Sequence, residues 1–199
     1  MNLRLPACFV VIGALTLIPG YGLYALAGAL GLTPGPGLTS RVLFVWTVNA
    51  PVEELAKFLG FVLGARLLHS IRQPRDGLLQ GAATGLGFGL GENLLYALAD
   101  GPSVFFLRAV TSLPGHVLYG AVWGGYYGYE VCHGKGRVLR PWVPLLALFP
   151  AVFSHALYNS LIQAGAPSGW TLLADGLTWA FGIFLFIHLK PGGPSRDLT

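Results

Sequence analysis

Charge is what this chain has least of: Asp, Glu, Lys and Arg make up 10% of its 199 residues, against 54% hydrophobic. A water-soluble domain cannot cover itself with so few polar groups, so the bilayer is the expected solvent for most of the chain, in line with a mean hydropathy of +0.64. Cysteine is equally scarce. Cys8 and Cys132 stand far apart and in no ligand-type spacing, which argues against a disulfide framework and a cysteine metal knuckle. The chain has no long linker, no low-complexity tract and no convincing repeat, and the length leaves no room for a sizeable soluble domain. The net charge of +4 and pI near 9.3 come from basic residues scattered between apolar runs, not from a patch, so nucleic-acid binding is not expected.

What is present is a series of apolar runs bounded by Gly, Pro and charge. A spanning helix needs about 20 apolar residues, and six runs qualify: Leu5 to Leu32, Ser40 to Leu68, Gly77 to Ala99, Ser103 to Val131, Pro141 to Gln163 and Trp170 to Leu189. The fold class is all-α, a polytopic bundle of about six membrane helices forming one embedded domain over 1–199, with its motifs between about 40 and 163. Arg4, then Arg72 and Arg75, then Lys135, Arg137 and Arg140, and finally Lys190 and Arg196 mark alternate connections. By the positive-inside rule both termini are cytoplasmic and the protein sits in the cell membrane. Arg4 ahead of an apolar stretch resembles a signal peptide with Ala25-Leu26-Ala27 as a cleavage site, but the run is longer than a signal core. An uncleaved first span is expected.

Ionisable groups inside these runs carry the functional signal, because a charge at mid-membrane costs about 2.5–3.5 kcal/mol on insertion scales. In the second run Glu53 and Lys57 share a helix face at i, i+4 and are expected to pair, while adjacent Glu54 points about 100° away with no local partner. Two neighbouring carboxylates in a low dielectric suit general acid–base work. Asn49-Ala50-Pro51 just before them breaks the backbone ladder and exposes polar groups, as in membrane helices that line a cavity. In the third run Phe88, Glu92 and Tyr96 lie on one face, with Asn93 beside them. Gly77, Gly81, Gly85 and Gly89 form a second stripe that admits a close neighbour. Pro114-Gly115-His116 is followed by Gly120, Gly124 and Gly128 on the His116 face, and the fifth run carries Ser154, His155 and, one turn on, Asn159. At about 1.5 Å rise per residue, Glu53, Glu92, His116 and His155 all fall in one layer between the mid-plane and the outer leaflet. His69, His133 and His188 lie at cytoplasmic ends and are given no role.

Glu53-Glu54-Leu55-Ala56-Lys57, Phe88 with Glu92 and Tyr96, His116 with Gly124, and His155 with Asn159 together resemble the PrsW-type intramembrane proteases. These are distant relatives of the CAAX prenyl endopeptidase and bacteriocin-processing families. The match runs from about Pro51 to Asn159. The prenyl-endopeptidase branch usually has Arg after its Glu pair and a Phe-x-x-x-His motif, whereas Lys57 and Phe88-x-x-x-Glu92 stand here, which favours the PrsW branch. The resemblance implies peptide-bond hydrolysis in the membrane, and in PrsW-like proteins the first, extracytoplasmic cut of a single-pass anti-sigma factor.

Two mechanisms fit these residues. In one, Glu53 or Glu54, with Glu54 preferred, activates water; His155, positioned by Asn159, stabilises the oxyanion or relays the proton; Lys57 holds the Glu pair, and Glu92 and His116 complete the shell. In the other, Glu54, Glu92, His116 and His155 are the candidate ligands of a catalytic Zn2+. No His-Glu-x-x-His helix is present to decide between them. The alternative from another class is a proton- or ion-coupled transporter built on the same Glu/His cluster, against which stand the lack of an inverted repeat and the confinement of the polar groups to one layer.

Overall fold

A computed structural model describes residues 4–133, 143–166, 169–171, 173, 176 and 180. Among the described residues every regular element is helical, so the all-α expectation holds. The helices follow the apolar runs, and prolines decide where they break. The first run is two helices, α1 (Arg4–Leu15) and α2 (Leu17–Ala29), meeting at Thr16. Pro19 has no N–H for the carbonyl four residues back, and the Thr16 hydroxyl bonds Gly13 O at 2.7 Å at the break. The second run is α3 (Leu38–Phe44), a π-turn over Val45–Asn49 and α4 (Ala50–Leu67). Pro51 lacks the donor that Thr47 O would need, and Ala50 N–H reaches back five residues to Val45 O.

The 27-residue α5 (Pro74–Asp100) starts earlier than its apolar run, from a reciprocal Gln73/Asp76 cap with Pro74 in its first turn. Gly101, at φ +99°, reverses the chain in a conformation that glycine adopts without a side-chain clash. The fourth run, expected as one span, is broken at Ser112 into α6 (Pro102–Thr111) and α7 (Leu113–His133). Pro114 is the cause, since Val110 O cannot receive its bond. α8 (Val143–Gln163) contains Pro150. Lys135, Arg137, Arg140, His188, Lys190 and Arg196, and most of the sixth run, lie outside the described residues.

α5 is the central helix. Its Gly77, Gly81 and Gly85 meet Gly128, Gly124, Gly120 and His116 of α7 backbone to backbone, so that a Cβ on any of the three would fall on a main-chain atom of α7. This is the close approach that the two glycine stripes predict. Gly87 and Thr84, elsewhere on α5, take Val10 and Gly13 of α1 in the same way. An aromatic core of Phe58, Phe61, Trp123 and Tyr127 joins α4 to α7.

The polarity of the molecule is inverted relative to a water-soluble protein. Ile18, Leu98, Phe106 and Leu145 are each more than 70% exposed, while Glu54, Lys57 and Asn93 are completely buried. Among the described residues one helical segment, Arg4–Ala29, is long and apolar enough to cross a bilayer by length and composition.

Candidate active site

α4 begins immediately after the π-turn, and its first turns carry Glu53, Glu54 and Lys57 into the interior. Lys57 was expected to pair with Glu53. Its ammonium lies 3.8 Å from Glu53 Oε2, within ion-pair distance, and closer still, at 2.6 Å, to Glu54 Oε1. Nor is Glu54 without partners: besides Lys57, His155 Nδ1 stands 2.8 Å from Oε1 and the Trp123 indole donates to Oε2 at 3.1 Å. A lysine side chain reaches both i−3 and i−4 carboxylates, and Lys57 lies within ion-pair distance of both, closer to the one that α7 and α8 also bond. Glu54 is thereby a fully bonded carboxylate with no face toward open space.

Glu53 behaves differently. Its Oε1 accepts from the Tyr24 hydroxyl (2.7 Å) and Asn49 Nδ2 (2.9 Å), and its Oε2 is buried with no hydrogen-bond partner. That oxygen lies 3.7 Å from His155 Nε2. The third helix to contribute is α7, where His116 sits against the Phe88 ring and edge-on to His155 at a centroid distance of 5.3 Å. His116 Nε2 is 3.0 Å from Glu92 Oε2, and its Nδ1 is 3.2 Å from Lys57 Nζ. An ammonium can only donate and a carboxylate only accept, which makes Nε2 the protonated nitrogen of His116 and leaves a lone pair on Nδ1. By the same logic His155 donates from Nδ1 to Glu54 and keeps its lone pair on Nε2, with its ring stacked on Tyr119 at 5.1 Å.

The geometry tests whether a metal fits. One donor atom each from Glu53, His116 and His155 lies within 4.8 Å of the others, all three side chains buried. Each histidine turns its other nitrogen to a carboxylate, Glu54 for His155 and Glu92 for His116, the outer arrangement that orients a metal-bound imidazole. Two imidazoles and one carboxylate, whose Oε2 has no hydrogen-bond partner, suit a borderline ion such as zinc with a position left open. Among the described residues the carboxylate that converges with both histidines is Glu53; Glu54 and Glu92, candidate ligands from the sequence, each lie within hydrogen-bond distance of one histidine.

Beside Glu53, the member of this group that lines it, lies a cleft of about 250 Å³ bordered by Tyr21, Tyr24, Asn49, Phe88, Glu92 and Tyr96, among others. Glu53 and Glu92 reach it; Glu54 does not. Asn159, expected to support His155, donates to Asn49 Oδ1 at 2.7 Å. Sequence reasoning missed Arg108, whose guanidinium bonds Glu92 Oε2 (2.5 Å), Asn93 Oδ1 (2.9 Å) and Ser112 Oγ (3.2 Å) and covers the Tyr96 ring at 4.0 Å. The signal existed, since Arg108 is a charge inside a predicted span, the criterion that singled out Glu92. Trp123 and Tyr24 were missed as well, and nothing local in the sequence distinguishes them from other membrane aromatics.

A family model described as PrsW family intramembrane metalloprotease matches residues 2–189. The chain belongs to the PrsW family. Among its relatives, Protease PrsW of Geobacillus kaustophilus is 33% identical over 54% of this chain and 48% of its own length. Protease PrsW of Halalkalibacterium halodurans is 30% identical over 76% and 67%, and that of Bacillus subtilis 33% identical over 57% and 51%. The chain thus spans about half to two thirds of the PrsW relatives it matches. No solved structure matches it. The PrsW assignment gives the transporter alternative no support.

Proposed function

We propose that this protein is an intramembrane endopeptidase that hydrolyses a peptide bond of a membrane-anchored protein, in the manner of the first cut of a single-pass anti-sigma factor. The observation that carries the reading is the convergence of Glu53, His116 and His155 on one point beside a cleft, with each histidine turned by its own carboxylate. The membrane arrangement that goes with it is six spans in the cell membrane with both termini cytoplasmic. It is supported by the alternation of basic connections in the sequence and by the burial of charge beneath an apolar exterior.

In this reading Glu53 Oε2, His155 Nε2 and His116 Nδ1, which would exchange its Lys57 hydrogen bond for the ion, would hold a divalent metal, zinc by the chemistry of its donors. The metal, when bound, supplies Lewis acidity that lowers the pKa of water and polarises the scissile carbonyl. The chain's own residues do the rest. Glu54, tied to Lys57 and Trp123, keeps His155 from rotating; Glu92, tied to Arg108, does the same for His116. Glu92 also faces the cleft, and because its bonds from Arg108 and His116 both fall on Oε2, Oε1 is the atom that takes the proton of the attacking water and returns it to the departing amine. Phe88, Tyr21 and Tyr96 wall the cleft with aromatic surface, which seats an apolar peptide segment and excludes water. Glu54, preferred as the base on sequence grounds, is assigned a supporting role because none of its oxygens can meet water.

Purified protein in detergent, offered a panel of single-pass membrane substrates, tests this directly. Wild type should cut at least one of them, chelator should stop it and zinc restore it. Glu53→Gln and His155→Ala should abolish the cut. Cleavage that survives chelator would overturn the metal reading, and variants that cut as well as wild type would remove the site.

A further inference from the structure

Two of the three converging donors are oriented by a carboxylate. Glu53 is itself a carboxylate and needs donors instead, and the structure supplies them from α2 and the π-turn, with Asn159 of α8 behind them. We infer that Tyr24, Asn49 and Asn159 form a positioning clamp that commits Glu53 Oε1 to the protein and presents Oε2 alone to the metal. The inference rests on the proposed role of Glu53 as a ligand.

The chain of bonds runs from α8 through the π-turn to α4. Asn159 Nδ2 donates to Asn49 Oδ1 (2.7 Å), and Asn49 Nδ2 then donates to Glu53 Oε1 (2.9 Å) and to the Tyr24 hydroxyl (2.6 Å). The Tyr24 hydroxyl donates its hydrogen bond to Glu53 Oε1 at 2.7 Å. Both N–H donors of the Asn49 amide are used and its oxygen accepts from Asn159, so its orientation is determined: a flipped amide would set oxygen against Glu53 and NH2 against the NH2 of Asn159. Trp46 Nε1, donating to Ser160 Oγ at 2.9 Å, fastens the same π-turn to α8 a second time. The π-turn thus has a function: its wider register delivers Asn49 between Asn159 and Glu53, and π-turns recur at functional sites for such reasons. With Oε1 doubly bonded, Glu53 can offer one oxygen, while the unpartnered Oε2 is the one beside His155.

Tyr24→Phe removes one hydroxyl and keeps the ring. Asn159→Asp keeps the shape and removes the donor that orients Asn49. The test titrates cobalt(II) into the full chain in detergent and reads affinity by chelator competition, the visible absorption of the bound ion, and Tm. Wild type should bind cobalt. Each variant should bind about 10–100-fold more weakly, the cost of losing an outer hydrogen-bond partner at a metal site. Their absorption should weaken as Glu53 becomes free to chelate with both oxygens. The double variant should lose less than the two single losses combined, because both act through one carboxylate. Wild type that binds no cobalt would overturn the metal reading and the clamp with it. Wild type that binds, with both variants matching its affinity and spectrum, would overturn the clamp alone. So would variants that melt lower with unchanged affinity, since a merely structural network does that.

Discussion

Gly85→Ala adds a single methyl group, and its predicted effect connects helix packing to chemistry. A Cβ at residue 85 would overlap the His116 carbonyl oxygen and lie 2.7 Å from the His116 carbonyl carbon. Ordinary contact begins near 3.4 Å, so α7 must retreat by about 0.7 Å at that carbon and further at the oxygen, an overpacking strain of about 1–3 kcal/mol. Neither side can yield by rotating, since both are backbone. The residue that moves is His116 itself, and a misplacement of about 1 Å at a catalytic group costs on the order of 100-fold in rate. Gly28→Ala is the control: it lies on exposed α2 and its Cβ would meet nothing within 4 Å. The assay is kcat/KM on a cleaved membrane substrate, with Tm and zinc affinity on the same preparations. Gly85→Ala should lose about 10–100-fold in kcat/KM while remaining folded at the assay temperature, and Gly28→Ala should match wild type. Full activity in Gly85→Ala, or an equal loss in Gly28→Ala, would refute the claim that the α5–α7 spacing sets the position of His116.

Other perturbations separate the supporting residues. Arg108→Leu leaves Glu92 without its cation; since the pair is partly exposed, the loss should be about 1–3 kcal/mol, read as a lower Tm, with reduced cleavage. Arg108→Lys should restore only part of both, because lysine keeps the charge and loses the fork that also holds Asn93. Glu54→Gln should abolish cleavage and weaken zinc binding, since the amide removes the charge that Lys57 and His155 share and turns its NH2 either on Trp123 Nε1–H or on those two donors. Trp123→Phe removes one charge-assisted hydrogen bond onto Glu54, worth about 1.5–3 kcal/mol, and should lower Tm while retaining measurable turnover.

The polar residues that converge were legible in the sequence because an ionisable group in an apolar run has few reasons to be there. Glu53, Glu54, Lys57, Glu92, His116 and His155 all satisfy that criterion, and all end in one cluster. The glycine stripes were legible for a related reason: small residues at four-residue steps mark a face that meets another backbone. Pairing within the cluster was only partly legible. Lys57 pairs with Glu53, as the i, i+4 spacing indicates, but lies closer to Glu54, whose other partners, His155 and Trp123, are far away in sequence. The breaks at Thr16 and Ser112 were announced by Pro19 and Pro114 but hidden by apolar runs that read as continuous. Tyr24 was invisible, because a tyrosine in a membrane helix is usually an interfacial anchor, and only the fold brings α2 against Asn49.

The account stands on Glu53, His116 and His155 holding one metal ion, and X-ray absorption at the zinc edge on the purified, zinc-loaded protein reads that shell directly. Two imidazoles with oxygen completing the shell are predicted for wild type, falling to one imidazole in His116→Ala and in His155→Ala. A shell with sulfur, or one unchanged by either substitution, would contradict the assignment.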